Sequence, residues 1–224
     1  MVVRSGRMLL AGIVCAWLVP ALHADEKEDP YPYGKAELEA ERINDVLELT
    51  RRADRYRAES VRRFAQGESL ERIEHFGREA KNWYRAVLTR EPASGYASLS
   101  IGYIDLILGR AASSPAAKDN YFSAAMSRFR EALERRPGYA EAHLYMAQVH
   151  ALRQEYAEAE KNLRLILNSG IENSHVHSWM AYVLFQTKQA AEARTHVARA
   201  IELDNPSPAA QWSRQHQRTV AAGK

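Results

Sequence analysis

The chain has 224 residues, with 31 Lys and Arg against 28 Asp and Glu, a formal net charge of +3, and 46% hydrophobic residues. That length suffices for a core held by packing alone, and so even a charge balance excludes a protein built around a polyanion, so no nucleic-acid partner is expected. The single cysteine, Cys15, excludes a disulfide framework.

Residues 1–24 read as an export leader. Arg4 and Arg7 precede an uncharged apolar run from Met8 to Val19, Pro20 breaks it, and Leu22-His23-Ala24 ends on a small residue. The run is shorter than the roughly 20 apolar residues of a spanning helix. The expected location is therefore periplasmic or secreted, with no membrane insertion after cleavage; a retained anchor is the alternative. Lipidation at Cys15 is disfavoured, because Gly12 and Val14 stand where a lipoprotein signal wants Leu and a small residue. Removal of the leader takes Cys15 with it and leaves 29 basic against 28 acidic residues.

Residues 25–34 (DEKEDPYPYG) read as an extended acidic arm, since two prolines and a glycine oppose a helix. Residues 35–65 contain neither Gly nor Pro and predict one helix or two. Six arginines crowd this stretch: Arg51, Arg52, Arg55, Arg57, Arg62 and Arg63. Glu48 precedes Arg52 by four residues and Glu59 precedes Arg63 by four, the favourable order for helix ion pairs, so the arginines read as a solvated face. Ser69 is placed to cap a helix from Leu70 to Arg90. Residues 35–92 together form an atypical N-terminal capping repeat.

A helix is expected over 94–109, with Gly109 at its end, and the next would start after Asp119 or Asn120. Between them lies GRAASSPAAKDN, residues 109–120, an insert by comparison with the hairpins later in the chain; a loop and an extension of both helices are the two readings. From 140 onward the chain repeats itself with a period of 34 residues. His143 falls on His177, Tyr145 on Trp179, Met146 on Met180, Ala147 on Ala181, Ala159 on Ala193 and Leu163 on Val197. A fixed period of this length with helical patterning marks a helix–turn–helix array. Ala147 and Ala159 are small where two helices approach, and Leu163 and Ile166 fill the layer behind them. Ser207-Pro208 opens a last short helix over 209–220.

These residues resemble the tetratricopeptide repeat family. Its first-helix pattern is matched by Tyr96, Leu99, Ser100 and Tyr103, with Ser in the place of Gly, and its second-helix pattern by Ala125, Phe129, Ala132 and Pro137. Weaker matches run through His143, Met146, Ala147 and His150, through His177, Met180, Ala181 and Leu184, and through Ala80, Tyr84, Val87 and Pro92. The resemblance implies an all-α solenoid of stacked helix–turn–helix repeats with terminal capping helices. Repeats are expected at 93–139, with the inter-helix insert, at 140–173 and at 174–206, and a capping helix and tail at 207–224.

The resemblance also implies a non-catalytic scaffold or adaptor that holds an extended peptide or partner helix against its first helices, and the export leader places its expected work in the bacterial envelope. The groove positions carried over are Ile101 and Asp105 on one first helix, then Glu141, Leu144, Gln148 and Leu152, then His175, Ser178, Tyr182, Phe185 and Gln186. No catalytic residue, metal ligand set or cofactor is expected: there is no Gly-rich phosphate loop and no nucleophile elbow. Two alternatives stay open, a metal-binding or sensor protein using His143, His150, His175 and His177, and a structural subunit that self-associates through an array end.

Overall fold

A computed structural model describes Ala40 and residues 42–203. The leader, the acidic arm, the start of the first expected helix and the terminal helix after Ser207 lie outside the described residues. Within them are eight α-helices and no strand: α1 Val46–Ala65, α2 Leu70–Arg90, α3 Gly95–Ala111, α4 Pro115–Arg135, α5 Ala140–Leu152, α6 Tyr156–Asn168, α7 Ser174–Gln186 and α8 Ala190–Leu203. The class is the expected one, an all-α helical repeat fold. The described residues fall into two compact units, one ending at Gly138 and one beginning at Tyr139.

The first unit is two antiparallel hairpins, α1–α2 and α3–α4, with α2 packed on α3. The chain breaks its helical run at residues 43–45, because the Asp45 carboxylate caps α1 by accepting the Leu47 N–H at 2.9 Å. Ser69 stands at the N-cap of α2 as expected, though through its backbone carbonyl and not its side chain. The insert is helix, not loop. Ser114 and Pro115 open α4, so Asp119 and Asn120 lie inside it, and Gly109 lies inside α3. Pro at the first helical position sacrifices an N–H that has no partner there anyway. The α3–α4 turn, residues 112–114, is as short as the α5–α6 turn, residues 153–155.

Gly109 does not end its helix because it is needed for close approach. A Cβ on Gly109 would lie 2.5 Å from the Phe122 ring, and one on Gly102 would lie 2.7 Å from the Phe129 ring. Each glycine costs α3 about 1 kcal/mol of helix propensity relative to Ala, and each admits a phenylalanine against its backbone. All residues of α3 from Ala97 to Gly109 are buried, as expected of a helix that is apolar on every side.

Four of the six arginines of α1, Arg52, Arg57, Arg62 and Arg63, are partnered by carboxylates. Glu48 accepts from Arg52 at 2.8 Å and Glu59 accepts from Arg63 at 2.6 Å, the two pairs that the sequence spacing predicts. Three of the same guanidinium groups also lie over aromatic rings: Arg52 over Trp83 at 5.2 Å, Arg57 over Tyr96 at 5.9 Å and Arg63 over Phe76 at 5.1 Å. Nearby, one oxygen of Asp54 collects hydrogen bonds from Tyr84, from Tyr96 at 2.6 Å and from Arg57 at 3.1 Å, which ties α1 to α2 and α3.

The second unit repeats one hairpin twice. Gln154 and Lys188, 34 residues apart, both take the left-handed conformation, with φ of 66° and 62°. The Glu155 N–H donates to the His150 carbonyl at 2.9 Å, and its equivalent at Gln189 donates to Leu184 at 2.8 Å. The core between the hairpins is the expected one. Ala147, Ala159, Leu163 and Ile166 are at most 2% exposed and join Trp179, Met180, Val183 and Leu184 in one apolar cluster.

Candidate functional site

The residues predicted to line a groove divide by burial. In the first unit, Ile101 is 1% and Asp105 5% exposed, so neither is the open surface that a groove position implies. α3 is apolar all round, and its faces could not be told apart by pattern. Asp105 is the one carboxylate on that helix. Lys81 of α2 donates to it at 2.8 Å, yet burial pushes its pKa above the ordinary carboxylate value, against the pull of Lys81.

In the second unit, Leu144 is 7% exposed and belongs to the apolar cluster, which corrects the reading that packing leaves it free. Gln148 and Ser178 are also buried. Tyr182 and Phe185 are half-buried and lean on the cluster. The Trp179 ring meets Tyr182 edge-on at 5.7 Å, while burial and a hydrogen bond with Tyr156 raise the Tyr182 phenol to about 12. Glu141 and Gln186 are exposed, and Leu152 and His175 are half-exposed. What stays outside the core is Leu152 on α5 and Tyr182 and Phe185 on α7, each partly covered, together with the polar residues Glu141, His175 and Gln186. The Gln148 carbonyl oxygen is buried with no hydrogen-bond partner, an acceptor left without a donor.

The histidines are not brought together as the metal reading requires. His143 Nδ1 sits 3.0 Å from the Asn162 carbonyl oxygen, and His150 Nδ1 sits 2.5 Å from Glu155. His175 and His177 both lie on α7, the first half-exposed and the second buried. His177 instead faces His196 of α8, with 2.7 Å between their Nδ1 atoms. Among the described residues no group of three or more His, Cys, Asp or Glu is placed to hold a metal ion. The His177–His196 pair was missed by sequence, although a signal existed. Asn162 and His196 are 34 residues apart, so the pair is the repeat equivalent of His143–Asn162.

A cleft of about 610 Å³ opens beside the start of α2, lined by Arg63, Arg72, Arg78, Glu71, Glu74 and His75 among others. Its arginines are largely committed: Arg63 and Arg72 both bind Glu68, at 3.0 and 3.2 Å. Among the described residues no helix is long and apolar enough to cross a membrane.

Comparison with known proteins agrees with this geometry. The tetratricopeptide repeat family profile matches residues 116–170, which cover α4, α5 and α6. No curated protein matches the chain. A solved structure described as a thermophilic TPR protein in Thermus thermophilus is similar at 20% identity and a TM-score of 0.57, over 83% of this chain and 99% of that one. What the chain shares with these proteins is the tetratricopeptide-repeat fold.

Proposed function

We propose that the chain is a non-catalytic interaction module of the bacterial envelope, carried out of the cytoplasm by residues 1–24, which holds an extended peptide or an amphipathic partner helix against α5 and α7. The observation that carries the reading is that the apolar residues Leu152 on α5 and Tyr182 and Phe185 on α7 stay partly uncovered, on helices that also present Glu141, His175 and Gln186.

Substitutions at these polar residues separate binding from folding better than substitutions at the apolar ones, because Tyr182 and Phe185 also support the core. The double variant Glu141→Arg, Gln186→Arg reverses the charge at one exposed position and adds charge and bulk at the other. It is expected to abolish recovery of a partner from envelope extracts while its melting temperature stays near that of the wild type. Equal recovery by both proteins, at equal stability, contradicts the assignment to this surface.

A further inference from the structure

We propose that the α7–α8 hairpin is an acid-sensitive latch: His177 and His196 hold it shut while at least one of the two imidazoles is neutral, and it loosens when both are charged. Their Nδ1 atoms are 2.7 Å apart and their ring centroids 5.0 Å apart. A hydrogen bond between two ring nitrogens needs one N–H and one lone pair. The neutral pair supplies both, and so does the singly protonated pair. With a second proton, two N–H groups point at each other across the same gap and must part.

The surroundings give the second proton nowhere better to go. His177 is 5% exposed, and its Nε2 is buried without a partner. Charging this ring therefore buries a second N–H unpaired, on top of the repulsion at Nδ1. Four charged groups face the pair: Glu172 ahead of α7, Glu192 and Arg199 on α8, and Arg164 on α6. They are tied to one another, Arg199 to Glu172 at 2.6 Å and Arg164 to Glu192 at 2.9 Å, so their fields at the imidazoles largely offset. Burial is then the leading influence, and it holds both rings below their ordinary value of 6.5.

The sign follows from linkage. The unfolded histidines titrate near 6.5, about the value for free imidazole side chains, and the folded ones lower. Between those values the unfolded chain binds more protons. Stability contributed by the pair is complete above 6.5, falls as the pH drops through the lowered folded values, and changes no further below them.

The chain contains its own control. At the same place in the preceding hairpin His143 faces Asn162. An amide oxygen accepts from Nδ1–H whether the imidazole is neutral or charged, so that hairpin has no such latch. α7 also carries Tyr182 and Phe185, so release of α8 would disturb them; that consequence rests on the proposed binding surface, whereas the latch does not.

Native-state hydrogen exchange on the full chain at pH 7.5 and 5.0, corrected for intrinsic exchange, tests the inference. α7 and α8 amides are expected to lose protection relative to α5 and α6 on going from pH 7.5 to 5.0. His196→Asn copies the α5–α6 arrangement and is expected to remove the differential loss. The same loss in that variant, or equal loss in both hairpins of the wild type, overturns the proposal. If the variant does not fold, the wild-type ring titrations followed by NMR decide: a second protonation step of the pair below 6.5 supports the latch, and both steps at or above 6.5 overturn it.

Discussion

Gly102 and Gly109 lie seven residues apart on α3, and Phe129 and Phe122 lie seven apart on α4 in the opposite order, so each glycine meets one ring. The pairing sets the register of the α3–α4 hairpin with two contacts that tolerate no added methyl group. Gly102→Ala would raise helix propensity by about 1 kcal/mol. It would also force the Phe129 ring from a Cβ at 2.7 Å, and overpacking of this kind costs about 1–3 kcal/mol. The expected net result in urea unfolding is destabilisation of up to about 2 kcal/mol, partly recovered by adding Phe129→Leu. Stabilisation by the single change would show that the ring moves freely. None of this was legible in sequence, where Gly109 reads as a helix end. A helical glycine and a helix-ending glycine carry the same letter, and only the facing phenylalanine tells them apart.

Elements were legible in proportion to their amphipathicity. α2 runs from Leu70 to Arg90 as predicted, and α1 shows its two predicted Glu–Arg pairs, because charges mark one face and Leu49, Ala53, Tyr56 and Val61 the other. α3 carries no such contrast, so a groove stripe laid along it placed Ile101 and Asp105 on a face that the structure buries. The same limit applies to the insert, which becomes two longer helices with an unchanged turn. Asn120 is an exposed residue in the interior of α4. Asn120→Pro is expected to lower stability by about 3 kcal/mol or more, by loss of a helical N–H and a clash with the preceding turn. A loop at this place would accept the change with little loss, and thermal denaturation distinguishes the two.

Across the molecule, the period of 34 carried the most information. The structure of the second unit repeats with it, in the apolar cluster between the hairpins that the sequence predicts and in the left-handed residues Gln154 and Lys188 that it does not. Traced from His143 to His177 the period also leads to His196, through the step from Asn162, and there one hairpin departs chemically from its twin. What a period cannot supply is the identity of whatever binds. Repeats share the residues that pack, while a partner reads those that do not, and on α5 and α7 these are few and lie at the edge of the core.

The central claim is that this edge is a protein-binding surface. Its most direct test is site-specific photo-crosslinking of the full chain in envelope extracts, with the reactive side chain at Gln186, at Glu141 or, as a control, at Lys161 on the exposed side of α6. One discrete adduct shared by Gln186 and Glu141 and absent from Lys161 is expected. Adducts of equal yield at all three positions, or none at Gln186 and Glu141, would contradict it.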